Sequence, residues 1–313
     1  MTFAMLFPGQ GSQSVGMLKA WAERSDAVRD TLAEADAVLG RPLSTLLAEG
    51  PSCQLDRTEN TQPAMLVADV ALWRAWLEAG GPRPAAVAGH SLGEYAALVA
   101  AGGLEFAAAL EVVQARAEAM RDAVADGAGA MAAVVGLEAE AVNALCAQID
   151  GIVSGVNYNA PTQIVVAGET AAVDALCAQA KAAGARLARR LPVSVPAHSP
   201  LMQPARERLA AVLEQAPLRQ PDIPLLHNVD ARPAADVDAL RAALREQVCA
   251  PVLWVDTQQR LASDYGCARA LEVGPGNVLA GLGRRSGVEL AVEAFPAPER
   301  LAEVIPAFTG ADT

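Results

Sequence analysis

Two short apolar runs constrain this chain most, because each ends in a glycine-bearing loop and passes into helical spacing. Residues 3–7 are wholly apolar and stop at Pro8, followed by Gly9-Gln10-Gly11-Ser12-Gln13. Such a run reads as a buried strand feeding a loop. Residues 84–88 form the second run and lead into Gly89-His90-Ser91-Leu92-Gly93. Helical spacing covers 15–39, recurs at Leu46-Leu47 and fills 62–79. There Pro63 sits in the first turn and Gly80-Gly81 supply the stop. Further helices follow Gly93 as far as Ala101 and span 105–124.

Composition narrows the class. At 313 residues the chain suits one large and one small domain. Hydrophobic residues make up 52%, which excludes a disordered chain, and 69 alanines favour helices. The net charge of -12 argues against a nucleic-acid binder, whose affinity depends on a basic footprint. Five cysteines are widely spread without a CxxC pair, so neither a zinc knuckle nor a disulfide framework is indicated. The first residues lack a basic segment and a cleavage site, and no apolar run reaches the ~20 residues of a membrane span. A cytoplasmic protein with reduced thiols is expected.

The rhythm changes over 127–191. A strand at 130–135 and a helix at 138–148 precede strands at 152–158 and 163–167. A helix at 170–183 and a strand at 186–191 complete a βαββαβ order, that of a ferredoxin-like unit. Asn157 and Asn159 fall near the turn before Pro161, where they could cap it or meet a substrate. The fold class expected is α/β: a core of residues 1–126 and 193–313 with a subdomain, 127–192, inserted into it. Strand 225–228, helix 236–247 and strand 270–273 resume the alternation beyond a proline-rich re-entry loop.

Gly89-His90-Ser91-Leu92-Gly93 matches G-x-S-x-G between a strand and a helix. A serine at so sharp a turn has its hydroxyl exposed, and the helix N-terminus offers N–H groups to a developing oxyanion. Serine needs a base. The chain has three histidines, His90, His198 and His227. His90 adjoins Ser91 in the turn and cannot easily reach its Oγ. His227 lies in a strand-like stretch and reads as structural. His198 lies where the inserted unit rejoins the core, a place where clefts form. Elimination favours His198. The loops Gly9-x-Gly11 and Gly274-x-Gly276 lack the third glycine and the lysine of nucleotide sites, so no cofactor and no metal are expected.

Five segments in order, Phe7–Gln13 in numbering 7–13, Thr61-Gln62-Pro63-Ala64, Gly89–Tyr95 in numbering 89–95, Val195-Pro196-Ala197-His198 and Glu272-Val273-Gly274-Pro275-Gly276, resemble those of the malonyl-CoA:acyl-carrier-protein transacylases of bacterial type II fatty-acid synthesis. The resemblance covers 3–285. It implies a hydrolase-like α/β core carrying a ferredoxin-like subdomain, with the site between them. It implies malonyl-CoA and acyl carrier protein as partners; a monomer is expected, with no nucleic-acid or membrane partner.

Carried over by position, Ser91 would be the malonylated nucleophile and His198 its base. Gln10 and Leu92 would supply oxyanion N–H groups, and the Gln247 main chain would orient His198. Arg116 would bind the malonyl carboxylate. Helical spacing alone leaves Arg116 and Arg121 equivalent at the two edges of one apolar face, and only the resemblance selects Arg116. Ala117 stands where the family usually has glycine. A transacylase subunit of malonate decarboxylase shares this chemistry, and a serine thioesterase is a more distant alternative. Because the chain is acidic, a local basic patch must attract an anionic carrier. Arg186-Arg189-Arg190 and Arg284-Arg285 are the candidates.

Overall fold

The computed structural model describes residues 2–193 and 195–309. Met1, Ser194 and 310–313, which fall within the expected spans, lie outside the described residues. Among the described residues nine strands form two sheets: β1 (Phe3–Phe7), β2 (Ala86–Gly89), β3 (Gly129–Val135), β4 (Val153–Ala160), β5 (Gln163–Glu169), β6 (Leu187–Arg190), β7 (Leu225–Leu226), β8 (Arg269–Glu272) and β9 (Ala291–Ala294). One sheet is parallel, in the order β7-β2-β1-β8-β9, and the other antiparallel, in the order β4-β5-β3-β6.

The wholly apolar first run is explained by burial on both faces of the parallel sheet. Phe3, Met5 and Phe7 enter one cluster with helix Thr58–Glu78, whereas Ala4 and Leu6 enter another with Trp254 and Leu261. Side chains of successive residues point to opposite faces, so a strand covered on both sides has no polar alternation.

The antiparallel sheet is two-faced in a different way. Ala132, Val134, Ile164 and Val166 pack under helices Ala139–Cys146 and Thr170–Ala182. Met131, Val156, Val165 and Ala167 face the other way, against Leu191, Val193 and Ala197. The sheets are tied where β4 meets Val252: Tyr158 N–H donates to Val252 O at 3.0 Å, and Val252 N–H to Val156 O at 2.8 Å.

Three expectations need correction. The helical stretch 15–39 is two helices, Lys19–Ala22 and Asp26–Leu39, because Ser25 accepts the Val28 N–H and caps the second. The helix expected at 62–79 begins at Thr58, which puts Pro63 inside it. Pro63 cannot donate to Glu59 O, and Arg41 Nη2 reaches that carbonyl instead, at 3.5 Å. Asn159 lies in β4, as Asn157 does, and not in the turn, which is confined to Pro161 and Thr162. No helix among the described residues is long and apolar enough to cross a membrane.

Candidate active site

Phe7 and Gly89 are partners across β1 and β2, so the loops that follow the two strands emerge side by side. The second loop turns sharply into helix Gly93–Ala100. A Cβ on Gly89 would stand 1.9 Å from the Gly93 carbonyl carbon, and one on Gly93 would stand 2.0 Å from Phe7 O. Only glycine fits at both positions. Between them Ser91 is held at φ 53°, a conformation that costs a non-glycine residue energy and survives where its surroundings enforce it. Asn228 enforces it here: Ser91 N–H donates to Asn228 Oδ1 at 2.7 Å, and Asn228 Nδ2 donates to Gly89 O at 2.6 Å.

Ser91 Oγ lies 2.6 Å from His198 Nε2. The His198 Nδ1 lies 2.7 Å from the main-chain carbonyl of Gln247. A carbonyl only accepts, so Nδ1 carries the proton and Nε2 presents its lone pair to the serine. Burial, and then the positive charge of Arg116, push the His198 pKa down from 6.5 to about 3. The imidazole is therefore neutral at neutral pH and ready to accept a proton. The N–H groups of Gln10 and Leu92 make no hydrogen bond among the described residues. A Cβ on Gly9 would meet His90 O at 2.5 Å, so glycine lets the Gln10 loop pack directly on the serine turn.

Arg116 and Arg121, equivalent by spacing, have opposite fates. Arg121 is half-buried and pairs with Asp122. Arg116 is 1% exposed, and its Nη1 donates to Gln62 Oε1 at 2.5 Å and its Nη2 to Gln247 Oε1 at 3.0 Å. Burial lowers its pKa, though a guanidinium keeps its charge throughout the usual range. Thus Ser91, His198, Gln10, Leu92 and Arg116 line one small cavity, with the Gln247 side chain directly behind Arg116.

The acyl transferase domain family matches residues 4–296. The chain belongs to that family. It is 45% identical over 305 residues to the malonyl CoA-acyl carrier protein transacylase of Escherichia coli strain K12, covering 97% of this chain and 98% of that one. Among solved structures, the malonyl CoA-acyl carrier protein transacylase of Coxiella burnetii aligns with a TM-score of 0.96. It is 40% identical, and the match covers 99% of this chain and 98% of that one. A malonyl-transacylase solved in complex with a type II polyketide-synthase acyl-carrier protein aligns with a TM-score of 0.95. It is 43% identical, and the match covers 98% of this chain and all of that one.

The candidate site has two compartments. The inner cavity, about 100 Å³, suits a short acyl group. An outer cleft of about 460 Å³ shares Gln10, His90 and Asn157 with it and lies between β3, β4 and β5 on one side and the loops after β1 and β2 with helix Val278–Gly283 on the other. His90 points away from Ser91, and its Nε2 meets Asn159 Oδ1 at 2.7 Å, which links the serine turn to β4. Burial lowers the His90 pKa, so it too is neutral. Asn157 Oδ1 is buried without a protein partner among the described residues.

Three polar residues that organise the candidate site have no assigned role in the sequence reading: Gln62, Glu94 and Asn228. Gln62 reads from the sequence as a helix start and as part of the Thr61-Gln62-Pro63-Ala64 segment, with nothing to show that it holds Arg116. Glu94 follows the second glycine of the turn, a visible signal, but its partners lie more than a hundred residues away. Its carboxylate meets His227 Nδ1 at 2.7 Å, Asn228 N–H at 3.0 Å and Gln247 Nε2 at 2.9 Å. His227 is thus a buried partner of Glu94. Burial alone would lower its pKa, but the hydrogen bond and charge of Glu94 outweigh this and raise it.

Proposed function

We propose that this acyl transferase moves a malonyl group from coenzyme A to the phosphopantetheine thiol of acyl carrier protein, through a malonyl ester on Ser91. The single observation that carries the reading is a buried, uncompensated arginine in the same small cavity as a serine–histidine pair. A hydrolase of neutral acyl groups has no use for that charge. A bidentate guanidinium suits a carboxylate, and malonyl is a short acyl group that ends in one.

The chemistry follows from the geometry. His198 Nε2 takes the Ser91 proton as Oγ adds to the malonyl thioester carbonyl. The oxyanion is met by the N–H groups of Gln10 and Leu92, each such donor contributing about 3 kcal/mol in a preorganised site. The tetrahedral centre collapses, the C–S bond breaks, and the thiolate of coenzyme A leaves with the proton from His198. Acyl carrier protein then presents its thiol along the outer cleft. His198 accepts that proton, the sulfur attacks the ester, and Ser91 leaves with the proton restored. Two thioesters and one ester of similar energy interconvert, so the reaction is reversible. It needs neither a metal nor a redox cofactor.

The strand order of the small sheet supports reading 127–192 as a ferredoxin-like subdomain and 1–126 with 193–313 as a hydrolase-like core. In this reading the enzyme is a cytoplasmic monomer that supplies malonyl-carrier to fatty-acid synthesis. Of the two basic clusters, Arg284-Arg285 is favoured as the carrier's docking point. Both arginines are exposed, and Arg285 Nη1 donates to Gln163, which lines the outer cleft, whereas Arg190 is paired with Asp174.

The test is where the acyl group goes. The enzyme is loaded with malonyl-CoA and then offered holo acyl carrier protein in water. Malonyl-carrier is the expected product. Free malonate at the same rate with and without carrier would make the protein a thioesterase.

A further inference from the structure

Gln247 is engaged twice. Its main-chain carbonyl accepts from His198, while its side-chain amide reaches in another direction. The amide Nε2 donates to Ser91 O and to Glu94 Oε2, both at 2.9 Å. Its Oε1 accepts from Arg116 Nη2 at 3.0 Å. These partners permit one orientation. Turned over, the amide would set Nε2 against the donor Nη2 and Oε1 against two acceptors. Glu94 is itself fully buried and held by His227 and by Asn228 N–H, so it cannot swing away to relieve the conflict.

Arg116 is consequently oriented by neutral oxygens. Its side-chain hydrogen-bond partners among the described residues are Gln62 and Gln247, and the nearest carboxylate in this network, Glu94, stands one amide further back. A carboxylate in direct contact would neutralise the guanidinium and occupy the geometry that a substrate carboxylate needs. A neutral amide holds the guanidinium and leaves its charge available.

We propose that the Gln247 side chain is a positioning residue for malonyl selectivity: oriented by Glu94 and the Ser91 carbonyl, it holds Arg116 in place and keeps Glu94 from neutralising it. This rests on Arg116 being the carboxylate site. One residue therefore serves the base through its main chain and the choice of acyl group through its side chain.

The two functions separate experimentally, because substitution spares the main-chain carbonyl. Gln247→Leu and Gln247→Glu are compared with the parent enzyme for transfer from malonyl-CoA and from acetyl-CoA, which lacks the carboxylate. Gln247→Leu should lower the malonyl-to-acetyl ratio of kcat/KM about tenfold, the scale of one lost hydrogen bond to a charged group. Most of the change should lie in KM for malonyl-CoA. Gln247→Glu should lower the ratio further, since a carboxylate would then sit on Arg116. If one variant does not fold, the other decides alone. An unchanged ratio in the folded variant overturns the proposal, whatever happens to the absolute rates. Arg116→Ala is run beside them. If it too leaves the ratio unchanged, the carboxylate reading has failed. If it shifts the ratio while the Gln247 variants do not, only the role of the Gln247 side chain has failed.

Discussion

Ser91 and His198 meet at 2.6 Å from two left-handed backbone positions, φ 53° and φ 64°. Neither residue is a glycine, so each conformation is maintained by its surroundings. Asn228 clamps the first, and the second is held where His198 N–H donates to Val248 O at 3.0 Å. Asn228→Ala should therefore slow acylation for malonyl-CoA and acetyl-CoA alike, by about tenfold or more, the scale of a buried hydrogen bond lost from a catalytic support. Stopped-flow release of coenzyme A measures it. A loss confined to malonyl-CoA would contradict this role.

Arg116→Ala should affect the two substrates unequally. Removing a charge-assisted, bidentate contact should reduce kcat/KM for malonyl-CoA by about thirtyfold or more, with acetyl-CoA changed far less. Initial rates with both thioesters check it. Equal losses would mean that Arg116 supports the fold of the site and does not read a carboxylate.

The two buried histidines give opposite pH signatures. His198 has its pKa pushed down to about 3, so the protonated form, which cannot act as a base, appears only far below 6.5. Acylation in the free enzyme should stay flat as pH falls through 6.5, where an ordinary imidazole would lose half its base form. The unfolded chain takes up this proton first, so the stability linked to His198 is present above 6.5 and falls as pH drops towards 3. His227 has its pKa raised, so its contribution is complete below 6.5 and is lost as pH rises through the raised value. His227→Ala should lower stability by about 3 kcal/mol, because it leaves the Glu94 carboxylate buried with only the Gln247 amide and the Asn228 N–H as partners. Denaturant melts at several pH values test both signs.

Charge reversal at Arg284 and Arg285 should raise the KM for acyl carrier protein several-fold, and more at low ionic strength, with malonyl loading of Ser91 little changed. Steady-state transfer at two salt concentrations measures this. An unaltered carrier KM would move the docking surface elsewhere.

What could be read from the sequence was local. The G-x-S-x-G turn, its strand and its helix are specified within a dozen residues, so Ser91 was identifiable from spacing and glycine placement. The βαββαβ order was readable because β3 to β6 alternate with short helices whose limits shift by only a few residues. His198 emerged through the scarcity of histidine. What stayed hidden depends on distant partners. Pro63 looks like a helix start until Arg41 is seen to take over the carbonyl that proline leaves free. Helical spacing could not turn Arg116 inward, because Gln62 and Gln247 decide that, and they lie 54 and 131 residues away. Asn159 resembled a turn residue because its partner, His90, lies across the cleft. Helices Gln203–Gln215 and Trp254–Ser263 and the edge strand β9 gave no signal strong enough to place them.

The central claim is a malonyl ester on Ser91 that a carrier thiol, and not water, resolves. The direct measurement is intact-mass spectrometry of the enzyme seconds after mixing with malonyl-CoA, with fragmentation to locate the adduct, followed by a chase with holo acyl carrier protein. One malonyl group on Ser91, absent from Ser91→Ala and transferred intact to the carrier, is the predicted result. A malonyl adduct of equal yield on Ser91→Ala, or an adduct on Ser91 that the carrier cannot remove, would contradict the account.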